Sequence, residues 1–263
     1  MDAAFTLALF FGRTELMSIV SNTDRVALVT GGSGGIGEAV VTRLVADGFA
    51  IGVHYAGNKD RADALVSMIV NNGGKAIAVN GDVADEHAMA VAFDAVEAAF
   101  GGIDVVVNTA GMMILSPIAA LDLDDLDRMH RTNIRGTFVV DQQAARRVRS
   151  GGAIINFSTT VTRTSFPTYG AYVASKAAVE GLTLILAREL RGKDITVNAV
   201  APGPTATALF LNGKDDETIA TLSKGAPLER LGQPDDIAET VAFLAGPGRW
   251  INGQVIYANG GLA

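Results

Sequence analysis

From residue 25 onward, short runs of β-branched and other apolar residues alternate with longer stretches whose apolar positions recur every three or four residues. The short runs fall at 26–30, 50–55, 75–79, 103–107, 153–157, 195–200 and 254–258. A strand with one face in water alternates apolar and polar side chains, so unbroken runs such as Val26-Ala27-Leu28-Val29 are predicted to be buried on both faces. Strands that alternate with amphipathic helices are joined by right-handed crossovers and give a parallel sheet between two helical layers. The expected fold is α/β, a single doubly wound domain with a seven-stranded parallel sheet flanked by helices. Ligands bind such sheets beyond the carboxyl ends of the strands, where the strand order reverses.

No repeat, low-complexity tract or proline-rich linker interrupts the pattern, so one domain is expected over 23–263. Residues 1–22 are expected to form a loose extension. Met17 offers a second start that would make 1–16 an upstream segment, and a cleaved targeting signal is the other reading. The connection over 203–234 carries Gly213, Gly225 and three prolines and is long for a compact domain. A substrate lid is the reading preferred to a plain surface loop.

Composition narrows the chemistry. The 263 residues are 49% hydrophobic, enough for one substantial core, and the net charge of −7 gives no diffuse positive field for nucleic acid or an anionic membrane. Neither is an expected partner. With no cysteine there are no disulfides, thiolate metal sites or cysteine nucleophiles, and a cytoplasmic location is expected. His54, His87 and His130 are too dispersed for a recognisable metal triad, so no metal is expected. The acidic run Asp122-Leu123-Asp124-Asp125-Leu126-Asp127 reads as a helix start, where carboxylates suit the dipole.

The stretch Thr30-Gly31-Gly32-Ser33-Gly34-Gly35-Ile36-Gly37 follows the first strand and opens the first helix. Glycines allow positive φ and close approach of a pyrophosphate, whose charge the free N–H groups of the helix start would bind. The spacing differs from the usual dinucleotide fingerprint, with three residues rather than one between the first two glycines, and it is the position after the first strand that predicts a Rossmann-type cofactor turn over a plain tight turn. After the second strand, His54-Tyr55-Ala56-Gly57-Asn58-Lys59 offers no acid to take the 2′-hydroxyl of NAD, and Asn58 and Lys59 are candidate phosphate partners. NADP(H) is expected, with NAD(H) second. Asp82-Val83 and Asn108-Thr109-Ala110-Gly111 end the next two strands, Asp82 being placed to meet an adenine amine and the small residues to let the cofactor pass.

Tyr172 and Lys176 lie one turn apart on one face of a helical stretch. An ammonium group beside a phenol favours the phenolate, which would let Tyr172 exchange protons near neutral pH.

Taken in order, the glycine turn, Asp82-Val83, Asn108-Thr-Ala-Gly111, Asn133, Ser158, Tyr172 with Lys176, and Pro202-Gly203 resemble the short-chain dehydrogenase/reductase family over 23–263. His54-Tyr-Ala-Gly-Asn58, Tyr169-Gly-Ala-Tyr172 and the ending 252–261 are similar to its trihydroxynaphthalene-reductase-like and 3-oxoacyl-[acyl-carrier-protein]-reductase-like members. The resemblance implies hydride transfer between nicotinamide and a carbonyl or alcohol carbon of a small, partly apolar substrate. Tyr172 would exchange the proton, Lys176 would bind the nicotinamide ribose and lower the phenol's pKa, Asn133 would help hold a relay water, and a hydroxyl would orient the substrate oxygen. Ser158, fourteen residues before the tyrosine, is chosen for that last role, with Thr159 and Thr160 as alternatives. The cofactor-binding set is Gly31, Ser33, Gly35, Ile36, Gly37, His54, Tyr55, Asn58, Asp82, Val83, Asn108, Ala110, Gly111, Tyr172, Lys176, Pro202, Gly203 and Thr207. Many members place the orienting hydroxyl thirteen residues before the tyrosine, at Thr159 here, and two further departures are Thr109 where the family more often has Asn and Gly34 where many NADP-dependent members carry Arg or Lys. The resemblance also implies a homo-oligomer, a tetramer, and 250–257 is apolar enough to be buried against a neighbour. Met112, Met113 and Leu209-Phe210-Leu211 are candidates for substrate walls. The contrasting readings are a dinucleotide sensor without turnover, and an epimerase or dehydratase on the same scaffold.

Overall fold

Seven strands form one sheet in the computed structural model, which describes residues 25–263; the extension expected over 1–22 lies outside the described residues. The strands are β1 (Val26–Thr30), β2 (Ala50–Tyr55), β3 (Ala76–Asn80), β4 (Ile103–Asn108), β5 (Val148–Phe157), β6 (Thr196–Pro202) and β7 (Val255–Ala258). All pair in parallel, in the order β3-β2-β1-β4-β5-β6-β7. The order reverses between β1 and β4, so the crevice of the fold opens at their carboxyl ends. β5 starts five residues earlier than the apolar run suggests. Val148 pairs with Ile103, and the register then shifts before Ala153 meets Val105, across the polar, glycine-rich 149–152.

The helices are α1 (Gly35–Ala46), α2 (Lys59–Asn71), α3 (Glu86–Phe100), α4 (Leu123–His130), α5 (Gly136–Arg147), α6 (Val161–Thr164), α7 (Gly170–Glu189), α8 (Ala208–Leu211), α9 (Asp216–Gly225) and α10 (Pro234–Ala245). Several begin on side chains that accept an otherwise unpaired backbone N–H: Asn58 for α2, Asp85 for α3, Asp122 for α4 and Asp215 for α9. Each such cap contributes about 1 kcal/mol. The acidic run thus starts α4, as its charge pattern predicts.

Successive strand residues feed opposite layers, which explains the unbroken apolar runs. Ala27, Val29, Val105 and Val107 pack with Val41 of α1, Leu65 of α2 and Val241 of α10. Val26, Leu28 and Val106 pack with Phe93 of α3, Val140 of α5 and Leu186 of α7. Each large side chain buried this way contributes about 1.5–3 kcal/mol. One polar cluster interrupts the second layer: Asn156 of β5 donates through Nδ2 to Asp141 Oδ2 of α5 (2.8 Å) and to Thr183 Oγ1 of α7 (3.3 Å). Asp141 Oδ1 and Asn156 Oδ1 are both buried without a partner. Burial pushes the Asp141 carboxyl up to about 7, against the pull of the Asn156 hydrogen bond.

Candidate active site

The glycine turn leaves β1 at Thr30 and enters α1 at Gly35. Gly31 takes φ +62°, and a Cβ on Gly37 would sit 2.3 Å from the Gly31 carbonyl oxygen, so bare backbone is required at both ends of the turn. The turn therefore presents peptide N–H groups at the start of a helix, a cradle suited to a pyrophosphate. Two polar contacts hold it from behind. Gly31 N–H donates to His54 Nδ1 (3.3 Å), and Thr30 Oγ1 donates to Asn108 Oδ1 (2.7 Å) across the β1–β4 switch point.

A cleft of about 420 Å³ runs from this turn across the carboxyl edge of the sheet. Tyr55, Ala56 and Arg61 line its end beside β2, and Thr109, Ala110 and Gly111 line its floor. Ser158, Thr159, Tyr172 and Lys176 line the far part, whose walls include Met112, Met113, Tyr169, Leu209 and Phe210. Among the described residues, no carboxylate lines it.

Tyr172 and Lys176 project from one face of α7 and are 9% and 5% exposed. The Lys176 ammonium donates to the Phe157 carbonyl at the end of β5 (2.8 Å). Burial lowers its pKa to about 8. Burial also raises the Tyr172 phenol to about 12, partly opposed by a hydrogen bond with Thr159 and reinforced by Tyr169. The sequence predicts a phenol pKa lowered by its lysine; with both groups buried, desolvation of the charged form is the leading influence on each, pushing the phenol up and the ammonium down.

Ser158 and Thr159 both line the cleft, and of the two it is Thr159 whose hydrogen bond lowers the phenol's pKa. Adjacent residues leaving a strand point to opposite sides. Ser158 Oγ turns to Glu180 Oε1 on α7 (2.5 Å), a carboxylate that also accepts from Thr162 Oγ1 (3.0 Å). Tyr172, Lys176 and Glu180 succeed one another at four-residue intervals along α7, so the chain leaving β5 is gripped by two of them: Lys176 at Phe157 and Glu180 at Ser158.

Asn133 sits in a π-helical turn, Arg131–Arg135, between α4 and α5, and is fully buried. Its Oδ1 accepts from Met112 N–H, and its Nδ2 donates to Met112 O and Ser175 Oγ, all at 2.9 Å. Ser175 Oγ in turn donates to the Tyr172 carbonyl (2.7 Å). Asn133 thus ties the 110–113 loop to α7 from beneath the cleft and does not line it.

Of the sequence-derived set, Gly31, Ser33, Gly35, Ile36, Gly37, Tyr55, Ala110, Gly111, Tyr172, Lys176, Pro202, Gly203 and Thr207 line the cleft. Five expected cofactor contacts do not. His54 is buried with Nε2 against Gly81 O (3.0 Å), and burial lowers its pKa to about 4, so it is a neutral strut under the turn. Asn58 is spent capping α2, and Asn108 holds Thr30. Asp82 accepts from Ala84 N–H and pairs with Arg131, while Val83 is buried against α5 at Gly136. Arg61 was missed because it lies beyond the strand end where cofactor selectivity is read; only the helical turn at 58–61 brings it back over the cleft.

The profile of the family described as enoyl-(acyl carrier protein) reductase matches residues 31–263. A short-chain type dehydrogenase/reductase of Picea abies is 43% identical, with 90% of this chain and 92% of the relative aligned. An NADPH-dependent aldehyde reductase-like protein, chloroplastic, of Arabidopsis thaliana is 40% identical over 90% and 93% of the two chains. The crystal structure of a short chain dehydrogenase from Burkholderia cenocepacia in complex with NADP superposes with a TM-score of 0.85 at 40% identity, covering 91% of this chain and 98% of that one. With identity of this order along nearly the whole length, and the sheet order, glycine cradle and buried Tyr172–Lys176 pair in place, the chain belongs to the short-chain dehydrogenase/reductase family of NAD(P)-dependent oxidoreductases.

Proposed function

We propose that this oxidoreductase uses NADP(H) and exchanges a hydride with the carbonyl or alcohol carbon of a small, partly apolar compound, with Tyr172 as the proton donor and acceptor. The observation that carries the reading is the convergence of Tyr172, Thr159 and Lys176 at one end of a cleft whose other end is the glycine cradle. The residues present fit the cofactor: bare backbone at Gly31 and Gly37 leaves room for a pyrophosphate, and among the described residues no carboxylate lines the cleft. The relatives point the same way, the Arabidopsis protein being called NADPH-dependent and the Burkholderia structure holding NADP.

When bound, NADPH supplies the hydride. Thr159 donates a hydrogen bond to the substrate oxygen, and Tyr172 gives that oxygen the proton that completes the alcohol, or takes it in the reverse direction. Burial favours the protonated phenol, the form that gives up a proton in the reductive direction. Lys176, anchored on Phe157, sits behind the phenol to hold the ribose and a route for reprotonation. Asn133 acts by fixing the 110–113 loop against α7. Met112, Met113, Tyr169, Leu209 and Phe210 give the substrate an apolar enclosure, and the segment 203–234, carrying α8 and α9, serves as its lid.

The working form is a homotetramer in this reading. Phe138 on α5, Leu184 and Ile185 on α7, Phe243 on α10 and Trp250 are large apolar side chains left in solvent by the monomer, at 42% exposure or more.

The decisive experiment is Tyr172→Phe, assayed by loss of NADPH absorbance across ketones, aldehydes, quinones and acyl thioesters. Positioned acid–base catalysis is worth about 10²–10⁴-fold, so turnover falls by that much while NADPH affinity holds. Near-normal turnover in the variant would refute the mechanism and favour another proton source.

A further inference from the structure

The inference rests on the NADP(H) reading and concerns how this chain tells that cofactor from NAD(H). Gly34 has no side chain where a basic residue of the turn could meet a 2′-phosphate, so the charge must come from elsewhere. The ribose end of a doubly wound site lies between the glycine turn and the end of the second strand. Here that is the part of the cleft lined by Ser33, Gly34, Tyr55, Ala56 and Arg61. Among the described residues lining the cleft, the cations are Arg61 and Lys176, and Lys176 is committed at the opposite end to Phe157. The other basic residue after β2, Lys59, pairs with Asp63 one turn along α2 and does not line the cleft.

Arg61 is held in a particular way. Its Nε (3.2 Å) and Nη2 (2.7 Å) both donate to one oxygen of Glu38 on α1, and among the described residues Nη1 makes no hydrogen bond. Asn58, through its cap on the Arg61 N–H (3.0 Å), fixes the backbone from which the side chain springs. The pair is half exposed, at 51% and 42%, so the guanidinium is oriented without being strongly retained. We propose that Arg61, oriented by Glu38, is the specificity-determining residue that receives the 2′-phosphate of NADP(H) with the free edge of its guanidinium. A planar fork of donors suits a phosphate, and only the phosphorylated ribose offers it a charge.

The test is binding of 2′,5′-ADP and 5′-AMP, with NADPH and NADH as the full-length counterparts, measured by calorimetry on the full chain and its variants. Wild type prefers 2′,5′-ADP. Arg61→Ala weakens 2′,5′-ADP and NADPH by about 10- to 100-fold, the usual worth of a charge-assisted hydrogen bond, and leaves 5′-AMP and NADH within about twofold. Arg61→Glu inverts the preference, because a carboxylate there repels the phosphate and accepts from the 2′-hydroxyl. A preference that survives Arg61→Ala unchanged overturns the assignment of Arg61 while the NADP(H) reading stands. An equal loss of all four ligands also overturns it, as general damage to the site. Wild type that binds 5′-AMP and NADH as tightly as their phosphorylated forms refutes the NADP(H) reading itself, and this proposal with it.

Discussion

Replacing one buried oxygen tests how the interior behind the active site is protonated. Asp141 and Asn156 each bury a side-chain oxygen with no partner, while a second pair of their atoms is joined at 2.8 Å. A proton on Asp141 Oδ1 supplies the donor both oxygens lack and closes a reciprocal acid–amide pair. The rise from the ordinary carboxylate value of 3.8 to about 7 is worth on the order of 4 kcal/mol. The native carboxyl holds its proton more tightly than the unfolded one. Its contribution to stability is therefore full below about pH 4, falls as the unfolded carboxyl ionises, and is lost by about pH 7. Burial is the leading influence on this group and the Asn156 hydrogen bond opposes it, so its titration should be visible by difference. Asp141→Asn places an amide where the acid stood; its N–H can donate to Asn156 Oδ1 and its oxygen can accept from Nδ2, at every pH. Urea unfolding at fixed protein concentration from pH 5 to 8 should show wild type losing about 2–3 kcal/mol relative to the variant between pH 5 and 7. Parallel curves for the two proteins over that range would show that Asp141 is not held neutral, and the acid–amide pair would have to be abandoned.

The remaining predictions concern the site and the assembly. Thr159→Ala is expected to lower turnover by about 10- to 1000-fold, as for loss of one oriented donor, whereas Ser158→Ala acts through Glu180 and costs less than tenfold; the opposite ranking in steady-state assays would restore Ser158 to the orienting role. In light scattering at micromolar concentration the protein should have four times the mass of its chain, and Ile185→Glu on the exposed face of α7 should reduce that mass; a wild-type monomer refutes the assembly.

Most of the fold was legible because its physics is periodic. The apolar runs located all seven strands, and their unbroken character implied two helical layers, since adjacent residues such as Leu28 and Val29 serve opposite layers. What the pattern missed at β5 was pairing before the bulge, where Arg149 to Gly152 carry no apolar signal. The site was legible where function depends on backbone shape, as at Gly31 and Gly37, or on helical spacing, as at Tyr172 and Lys176. It was less so where a choice lay between neighbours. Ser158 and Thr159 are both hydroxyls, and the direction in which each leaves β5 depends on Glu180, two elements away in the chain. His54 and Asn108 sit at the right strand ends but face inward, and no local feature distinguishes a residue that touches a ligand from one that props up the backbone that does.

The cleft draws its lining from Gly31 to Leu262, nearly the full span of the described chain, and its central seam joins Thr30 to Asn108 across 78 residues. On the ribosome, the glycine turn emerges long before the strand that must support it and longer still before the residues that close it. At roughly 5–20 residues per second, that interval is on the order of 10–50 seconds. A growing chain or one cut short near its carboxyl end carries the most recognisable motif of the protein without the means to use it. A ligand that binds only the folded molecule therefore stabilises completed chains and offers nothing to fragments that lack the supporting strand.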